Sequence, residues 1–281
     1  MGAMIGKLIV IAGAGIYPEL IVRGAKKAGV PQVDVVAIKG STSRGTVKAA
    51  DHVHWITLGG IAQGIRWVGA EGYEGVILAG QINPLSLFRG RFDEEIKAEL
   101  RTLPVKNAHS IFKRLVELFE AVGAPVLPAS LYMDDNLPGV GALTARGFTE
   151  TEASDIAHAR AVVRDMGVHD VGQTVAVKAG MVLAVEAFEG TNAAIRRAGK
   201  LGGRGGVLFK AAREGHDMRF DIPVVGLKTL KTMKKAGITA LGFQAGRLIL
   251  LDREEVLAFA NKHNIALVGV DSGLPSAPLR P

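Results

Sequence analysis

The sequence predicts an α/β protein with a parallel-sheet domain at the N-terminus and a mixed-sheet α+β domain at the C-terminus, joined by a linker. Three observations support this prediction. Short apolar runs in the first half end at glycine and lead into helical patterns, which is the order of β-α-β units. The second half contains two strand patterns only a few residues apart, which is typical of an antiparallel hairpin. The hydrophobic content of 48% is enough to fill two cores.

The N-terminal elements follow one another as strand, glycine turn and helix. Residues 7–12 (KLIVIA) form the continuous apolar run that a strand buried on both faces requires. A glycine turn follows, and Pro18 stands where the first turn of a helix tolerates proline. This repetition predicts a Rossmann-like parallel sheet over residues 1–133. Its further strands are predicted at 33–38, 75–79 and 124–129, and its further helices at 60–70, 93–103 and 110–122.

The C-terminal domain is predicted to span residues 149–281. Residues 134–148 before it are rich in turn formers and lack periodicity, so they are the predicted linker. Residues 149–166 fit an amphipathic helix. The mixed sheet is predicted from two hairpins, one formed by strands 174–178 and 182–188 and the other by strands 239–243 and 247–251.

Composition and charge restrict the classes of function. The chain has no cysteine, which excludes disulfides and thiolate metal sites and is consistent with a reducing compartment. The net charge of +7 favours anionic partners, but the basic residues lack interleaved aromatics, so we expect no nucleic acid partner. No apolar run has the roughly 18 residues that a membrane span needs. We therefore expect a cytoplasmic protein, either soluble or peripheral on a membrane.

Two loops at the ends of predicted N-terminal strands are candidates for ligand binding. The turn after the first strand offers backbone N–H groups at a helix start, where phosphate binds in many proteins. It lacks the third glycine of the dinucleotide fingerprint, so NAD is poorly supported. The first loop is predicted either to bind a phosphate or sugar or to be a purely structural turn. The second is predicted either to bind a ligand through its side-chain amides or to be a structural turn. The candidates in these loops are Gly13, Ala14, Gly15, Gly80, Gln81 and Asn83.

Residues 182–197 (VLAVEAFEGTNAAIRR) place two carboxylates at the end of a buried strand. Glu186 interrupts the apolar run, and Glu189 stands at the following turn. A hard cation takes one or two carboxylates together with phosphate oxygens, so both residues are candidate Mg²⁺ ligands. The alternative is that they form salt bridges with the arginines that follow.

A predicted helix begins directly after this turn. Thr191 or Asn192 is its predicted N-cap, which directs the free N–H groups of the first turn at an anion. Arg196 and Arg197 lie about one turn later. Neighbours on a helix are about 100° apart, so we expect only one of the two arginines to face the site.

A third charged segment lies in FDIPVVG, which is otherwise apolar. Asp221 needs a partner or a function there, and Arg219 shares its face if the segment is extended. A salt bridge and a functional carboxylate both remain open. Lys210 ends another apolar strand pattern and adds a cation to the set.

In order and spacing, these segments resemble the LpxI family, the UDP-2,3-diacylglucosamine pyrophosphatases of lipid A biosynthesis. The resemblance rests on Gln173-Thr174, residues 181–197, VLFK at 207–210, DMRFDIPVVG at 217–226 and AGR at 245–247. It implies two domains with the lipid and nucleotide groups bound between them. It also implies Mg²⁺-dependent hydrolysis to UMP and 2,3-diacylglucosamine 1-phosphate, with water attacking the α-phosphorus, at the inner membrane of a Gram-negative bacterium.

The same resemblance implies roles for individual residues. Asp221, Glu189 and Lys210 are implied as catalytic, and Asp221, Glu186 and Glu189 as the ligands of Mg²⁺. The implied substrate-binding residues in this half of the chain are Gln173, Lys178, Gly190, Thr191, Asn192, Arg196, Arg197 and Arg219.

The chain departs from the family pattern at two carboxylates. Asn192 stands where the family commonly has aspartate, and Gln244 where it commonly has glutamate. The alternative is therefore that the chain is a non-catalytic or regulatory relative of the family, which binds a nucleotide-linked glycolipid without cleaving it. The expected partners are the UDP-linked diacylated glucosamine lipid and an anionic membrane surface attracted by the basic charge. A homodimer is left open.

Overall fold

The described chain divides into two units. The structure, a computed structural model, describes residues 5–81, 92–105, 107–212, 217–220 and 222–271, so the predicted site residues Asn83 and Asp221 lie outside the described residues. Among these, the N-terminal unit contains residues up to Met133 and residues 217–220, and the C-terminal unit contains residues 134–212 and 222–271. Every helix within these ranges is too short or too polar to span a bilayer.

The N-terminal unit is built on a four-stranded parallel sheet. Its strands are β1 (Lys7–Ala12), β2 (Gln32–Ile38), β3 (Val53–Ile56) and β4 (Gly75–Ala79), and its helices are α1 (Tyr17–Lys27), α2 (Arg44–Ala49), α3 (Ile61–Ala70), α4 (Glu94–Arg101) and α5 (Ala108–Ala121). The strand order is β3-β2-β1-β4. The chain crosses from β3 back to β4 beside β1, which is the order of a Rossmann-type half.

Helices cover this sheet and form its core. Ile65 of α3, Ile96 of α4 and Val116 of α5 are buried in one cluster with Ile9 and Val76 of the sheet. Residues 124–129, which the sequence predicts as a further strand, contribute only an isolated parallel bridge between residues 126 and 76. The predicted strand is therefore wrong, because two prolines at 125 and 128 limit the hydrogen-bonding ladder there.

The C-terminal unit contains a six-stranded mixed sheet. The unit's strands are β5 (Gly141–Ala142), β6 (Thr174–Lys178), β7 (Met181–Val185), β8 (Gly206–Lys210), β9 (Val224–Val225), β10 (Ile238–Gln244), β11 (Ile249–Leu250) and β12 (Ala266–Val270), and its helices are α6 (Glu150–Gly167), α7 (Thr191–Gly202), α8 (Leu227–Ala236) and α9 (Arg253–Lys262). The sheet order is β5-β12-β10-β8-β6-β7. β8, β10 and β12 are parallel, whereas β5, β6 and β7 are antiparallel to their neighbours. The predicted fold class is confirmed.

Strand periodicity divides the core of this sheet between its two faces. Val207 and Phe209 of β8 pack with Ile156 of α6, whereas Leu208 between them packs with Ile195 of α7 and the residues of α8 and α9. Successive side chains of a strand point to opposite faces, and both faces of β8 are covered by helices. This burial explains why the strand reads as a continuous apolar run.

Two predictions about the C-terminal unit differ from the structure. The hairpin of β6 and β7 is present, but the predicted hairpin of strands 239–243 and 247–251 is wrong. β10 lies between β8 and β12, so both of its edges are occupied, and β11 pairs with β9 in a separate two-stranded sheet. Residues 134–148, the predicted linker, include β5, which pairs with β12.

Candidate functional site

The carboxyl edge of the C-terminal sheet brings Lys210 together with polar residues from neighbouring strands. Lys210 ends β8 and pairs with Thr174, the first residue of the antiparallel β6. On its other side Lys210 pairs with Phe243, which precedes Gln244 at the end of β10. Glu186, directly after β7, donates its backbone N–H to the carbonyl of Thr174 at 2.8 Å. Sheet pairing therefore collects one cation and several oxygens at a single edge.

Lys210 is buried and surrounded by oxygen atoms. Its side chain is only 6% exposed. The Nζ donates to Thr191 Oγ1 at 2.8 Å and to Thr174 Oγ1 at 3.3 Å, and it lies 3.6 Å from Glu186 Oε2. A buried ammonium is tolerated only when it is paired and hydrogen-bonded. These contacts therefore hold a positive charge in a fixed position at the sheet edge.

Thr191 connects the lysine to the carboxylate. Its hydroxyl accepts from Lys210 and donates to Glu186 Oε1 at 2.8 Å. Thr191 is the first residue of α7, and Gly190 is the N-cap with φ 78°. The prediction that Thr191 or Asn192 forms the cap is wrong, because the chain enters α7 through a left-handed conformation that favours glycine. The Thr191 hydroxyl bonds Glu186 and Lys210 instead of its own helix.

Three buried side-chain oxygens in this region have no hydrogen-bond partner among the described residues. They are Glu186 Oε2, Asn192 Oδ1 at the start of α7 and Gln244 Oε1 at the end of β10. Buried polar atoms are normally hydrogen-bonded. Each of these oxygens can accept a hydrogen bond from a ligand or coordinate a cation. The site edge therefore offers one fixed donor and several acceptors.

Glu189 and Arg197 form an ion pair beside this cluster. Glu189 accepts from Nη2 of Arg197 and from the backbone N–H of Ala187, and Arg197 also donates to the carbonyl of Val185 at 2.8 Å. The Arg197 guanidinium lowers the pKa of the Glu189 carboxyl. Arg196 is exposed. Arg197 thus ties the turn before α7 to the end of β7.

Of the three predicted metal ligands, Asp221 lies outside the described residues, and Glu186 and Glu189 do not form a metal centre by themselves. No group of three metal-binding side chains occurs in the described part of the chain. Glu189 is paired with Arg197, and Glu186 lies beside Lys210. Glu186 Oε2 still lacks a hydrogen-bond partner, so it can supply one carboxylate oxygen. Mg²⁺ often takes one or two carboxylates and completes its shell with water and phosphate oxygens, and the described residues fit only such a sparse site.

In the N-terminal unit, the turn after β1 and the loop after β4 lie side by side. The N–H of Ala14 donates to the carbonyl of Gln81 at 2.8 Å, and the N–H of Gln81 donates back at 2.9 Å. The N–H of Gly13 donates to Ala79 at 2.8 Å. A Cβ on Gly13 would lie 2.8 Å from the Gln81 carbonyl, and one on Gly80 would lie equally close to that of Ala14. Both glycines are therefore required by the close approach of the loops, and these N–H groups are bonded within the protein.

Gly15 differs from the other glycines of these loops. Its φ is 95°, and a Cβ there would meet no atom of the described residues within 4 Å. Glycine is required by the backbone conformation, and the space beside it is open directly before α1. Among the predicted glycine positions, this one leaves room for a ligand.

Two further predicted binding residues lie at opposite ends of β6. Gln173 precedes Thr174 at the site edge, and its carbonyl accepts from the N–H of Ala211 at 3.0 Å. Lys178 ends the strand at the other side of the sheet, where its Nζ donates to the carbonyl of Gly202 at 2.6 Å. The structure therefore brings Gln173 to Lys210 and leaves Lys178 at the C-terminus of α7.

Arg219 belongs to the N-terminal unit and is paired there. It donates to Asp217 Oδ2 at 2.7 Å and to Glu120 Oε1 at 2.7 Å. The two charges act on each other: Arg219 lowers the pKa of Asp217, and Asp217 raises that of Arg219. The predicted roles of Asp221 and Asn83 stay predictions, because both residues lie outside the described part of the chain.

The sequence analysis placed Thr174 in a family motif and Gln244 at a departure from the family pattern, but it assigned neither residue a role in the site. Each is a polar residue at one end of a largely apolar strand, which is a further signal in the sequence. That signal does not say which strands are neighbours. Only the pairing of β6, β8 and β10 places both residues beside Lys210.

The fold and site define a two-domain α/β protein that holds a buried ammonium and several acceptor oxygens at a sheet edge. The chain belongs to the LpxI family. The model of the LpxI N-terminal domain matches residues 7–136, and that of the LpxI C-terminal domain matches residues 139–268. The chain is also 32% identical over 213 residues to the UDP-2,3-diacylglucosamine pyrophosphatase LpxI of Caulobacter vibrioides, with 72% of this chain and 76% of that relative covered. The family predicted from the motifs is confirmed.

Similarity to solved structures is weak. The biotin carboxylase domain of Hydrogenobacter thermophilus 2-oxoglutarate carboxylase is 14% identical with a TM-score of 0.28, covering 63% of this chain and 36% of that one. The biotin carboxylase subunit of pyruvate carboxylase is 18% identical with a TM-score of 0.27, covering 72% and 43%. The chain spans less than half the length of either structure, and neither similarity bears on the site.

Proposed function

We propose that this chain is a hydrolase of UDP-2,3-diacylglucosamine that releases UMP and 2,3-diacylglucosamine 1-phosphate in lipid A biosynthesis. Membership of the LpxI family and the name of the Caulobacter relative support this substrate. The observation that carries the proposal is the buried Lys210 ammonium, fixed by Thr174, Thr191 and Glu186 at the start of α7. A pyrophosphate is anionic, and a preorganised cation beside a helix N-terminus stabilises the charge that builds on it.

In the proposed reaction, a water oxygen attacks the α-phosphorus of the UDP group. The bond between that phosphorus and the bridging oxygen breaks as the new bond forms. The water oxygen stays in UMP, and the bridging oxygen leaves with 2,3-diacylglucosamine 1-phosphate. Lys210 donates a hydrogen bond to an α-phosphate oxygen as its charge increases, and Asp221 orients the water and takes its proton.

The other residues around the turn position the catalytic groups or contact the substrate in this proposal. Thr191 and Glu186 hold the Lys210 ammonium at one place, so no reorganisation is needed when charge develops. Glu189 keeps the Gly190 turn against β7 through Arg197. Arg196, which is exposed, is available for the second phosphate or for the uridine.

We also propose that the reaction depends on Mg²⁺. Glu186 Oε2 and Asp221 would hold the ion together with substrate phosphate oxygens. When bound, Mg²⁺ neutralises phosphate charge and polarises the phosphoryl group. Glu186 Oε2 supports this assignment, because it accepts no hydrogen bond from the described residues although it lies 3.6 Å from the Lys210 ammonium.

Association with an anionic membrane surface is part of the same proposal. The substrate is a lipid, and the net charge of +7 favours an anionic surface. Sedimentation with phosphatidylglycerol vesicles at low salt should carry the protein down, and raised salt should release it. Binding that ignores ionic strength would contradict the electrostatic basis.

The decisive experiment is UMP release from UDP-2,3-diacylglucosamine by the purified protein, in Mg²⁺ and in excess EDTA. The protein is compared with Asp221→Ala and Lys210→Met, and with Asp165→Ala as a control for an exposed carboxylate on α6. We expect turnover that EDTA, Asp221→Ala and Lys210→Met abolish and that Asp165→Ala leaves intact. Failure of the folded wild-type protein to release UMP would reject the proposal.

A second candidate function is binding of the same glycolipid without hydrolysis. It is favoured by one observation: the unpartnered acceptors at two positions are the amide oxygens of Asn192 and Gln244, not carboxylates. Calorimetry with the intact substrate separates the two functions. Tight binding without turnover would support the binder, and Mg²⁺-dependent turnover would exclude it.

A further inference from the structure

Helix α8 is the middle one of three helices on one face of the C-terminal sheet. Its buried residues Leu230 and Met233 share one core cluster with residues of α7, of α9 and of the sheet. On the α7 side, a Cβ on Gly199 would lie 2.6 Å from the carbonyl oxygen of Ala236. The two backbones therefore approach so closely that only glycine fits, and α8 has one side left to face solvent.

The solvent side of α8 consists of lysines. The helix packs through residues 229, 230 and 233, and with about 100° between neighbours the positions 228, 231 and 235 lie opposite them. Residues 222–251, which contain the helix, include no acidic residue. The exposed residues of α8 are Lys228, Lys231, Lys234 and Lys235.

Lys262 extends this charge onto the last turn of the neighbouring helix α9. It is exposed, and desolvation together with the charges of Lys234 and Lys262 lowers the pKa of His263. Two ammonium groups from different helices therefore lie near the same ring. We call the four lysines of α8 and Lys262 the basic face. Its five positive charges compare with a net charge of +7 for the whole chain.

No described residue forms an ion pair with the basic face. The cations that are paired in the described part of this unit include Arg146, Arg164, Arg197 and Lys210. Lys231 has like charges three and four residues away, at 228 and 235 or 234, and such pairs destabilise a helix. An anionic partner would relieve this repulsion.

The helix dipole explains only part of the pattern. Lys234 and Lys235 lie in the last turn of α8, where the partial negative charge of the helix end favours a cation. Lys228 lies in the first turn, where the same dipole disfavours a cation, and Lys231 lies between the two ends. Stability of the helix therefore does not account for lysine along its whole exposed side.

We infer that the basic face docks the protein on an anionic lipid bilayer, an inference that rests on the proposed function because the proposed substrate is a lipid. The face is the outer side of a helix layer, and its charges attract a surface of anionic headgroups. It contains lysine without arginine, and lysine lacks the planar fork with which arginine recognises single phosphates and nucleic acid. The exposed side of α8 also has no aromatic residue on which bases could stack.

The test removes three charges from the face in the full chain. The face variant combines Lys228→Gln, Lys231→Gln and Lys235→Gln, and glutamine has nearly the helix propensity of lysine. The control variant removes the same charge from three exposed helical positions of the N-terminal unit. Its substitutions are Lys48→Gln, Arg101→Gln and Lys113→Gln. Circular dichroism establishes folding, and Lys231→Gln alone keeps the test available if the face variant does not fold.

Binding is measured by sedimentation with vesicles of phosphatidylglycerol and phosphatidylcholine that contain no substrate. Each lysine near an anionic surface strengthens binding about fivefold. We expect the face variant to bind on the order of a hundredfold more weakly than wild type and Lys231→Gln alone about fivefold more weakly. The control variant should lose less than about threefold, because charges more than about 10 Å from the surface are screened.

UMP release supplies a second readout. With the substrate in the same vesicles, the face variant should have a raised KM. With the substrate in micelles of a neutral detergent, its KM and kcat should equal those of wild type, because the face contains none of the residues assigned to the site.

Each outcome decides the docking face. Equal losses of vesicle binding in the face and control variants, or wild-type binding by the face variant, would overturn it. A face variant that loses binding to duplex DNA but keeps vesicle binding would assign the surface to nucleic acid instead. If no protein releases UMP, the proposed function fails, and the vesicles without substrate still decide whether the basic face binds a bilayer.

Discussion

The Nζ of Lys210 lies 2.8 Å from the Oγ1 of Thr191, so the end of β8 and the first residue of α7 are joined by a buried hydrogen bond. The Thr191 hydroxyl in turn donates a hydrogen bond to Glu186 Oε1 at 2.8 Å. The three side chains form one network in which each group is oriented by the next. Such networks are more rigid than isolated pairs, so substitution of one member should change the positions and hydrogen bonds of the others.

Lys210→Met should abolish most of the activity and destabilise the fold. Loss of one oxyanion-hole donor in acyl transfer lowers kcat about 100- to 1,000-fold, and we expect a loss of this order here. The change also leaves Glu186 buried beside an apolar group, which should lower the free energy of unfolding by about 3 kcal/mol. Urea unfolding and UMP release measure the two effects. Lys200→Met, at an exposed lysine of α7, should change neither, and an active Lys210→Met would remove the lysine from the mechanism.

Thr191→Val should separate the hydrogen bonds of Thr191 from its shape. Valine has a similar volume but neither donates to Glu186 nor accepts from Lys210, so the ammonium loses its fixed position. We expect kcat to fall about tenfold and stability by about 1–3 kcal/mol. Thr191→Ser keeps the hydroxyl and should retain most of the activity. Equal kinetics for the two variants would mean that the hydroxyl has no role.

The two neighbouring arginines should respond differently to substitution. Arg197→Gln removes the ion pair with Glu189 and the bond to Val185, so the free energy of unfolding should fall by about 0.5–1 kcal/mol. Both arginines are exposed, but Arg196 has no ion pair with a described residue, so Arg196→Gln should alter stability by less than about 0.5 kcal/mol. If Arg196 binds a substrate phosphate, the KM of the Arg196→Gln variant should rise while its kcat stays unchanged. A stability loss for Arg196→Gln as large as that of Arg197→Gln would contradict this division.

Asp155→Ala should destabilise the hairpin of β6 and β7. Asp155 is buried and accepts hydrogen bonds at 2.8 Å from the N–H groups of Ala179 and Gly180 in the turn. Removing the carboxylate deletes two charge-assisted hydrogen bonds to a turn whose residues are exposed, so the loss should be about 1.5–3 kcal/mol. Asp165→Ala, on the exposed face of the same helix, is the matched control. Chemical unfolding followed by circular dichroism measures both, and equal stabilities would refute the role of the turn contacts.

Stability should fall in acid in part through Glu152. Burial by itself raises the pKa of Glu152, but hydrogen bonds from Arg146, the Thr149 N–H and Thr239 outweigh it, so the pKa is lowered. A carboxylate with a lowered folded pKa contributes stability above its unfolded pKa of about 4.3. That stability is lost as the pH falls through the folded pKa. Glu152→Gln should therefore flatten the acid side of the profile of unfolding free energy against pH.

The control for this pH dependence is Glu150→Gln, at an exposed carboxylate in the first turn of the same helix. Its unfolding profile should follow that of the wild-type protein. If Glu152→Gln and wild type lose stability in parallel below about pH 4.3, the acid sensitivity originates elsewhere in the chain.

Element type was predictable where local chemistry is strong. Residues 7–12 and 75–79 are continuous apolar runs that end at glycine, and both are strands. Thr149 and Glu152 form the capping box that begins α6. These features depend on residues close in sequence, so periodicity and turn chemistry are sufficient to identify them.

Strand partners were not predictable in the same way. Residues 239–243 and 247–251 have the spacing of a hairpin, but β10 is enclosed by β8 and β12. An apolar run looks the same whether its neighbours are parallel or antiparallel. The choice depends on which helices cover both faces of the sheet, which is a property of distant segments.

By itself the sequence determined the α/β class, the family motifs and the residue types of the site. Tertiary structure decided how those residues interact: Lys210 is fixed by Thr174 and Thr191, Lys178 lies at the other end of its strand, and Arg197 is held by Glu189. The physical reason is that a charged residue in an apolar run requires interaction partners, but the local sequence does not specify which residues they are. Strand register and burial, set by the whole sheet, select the partners.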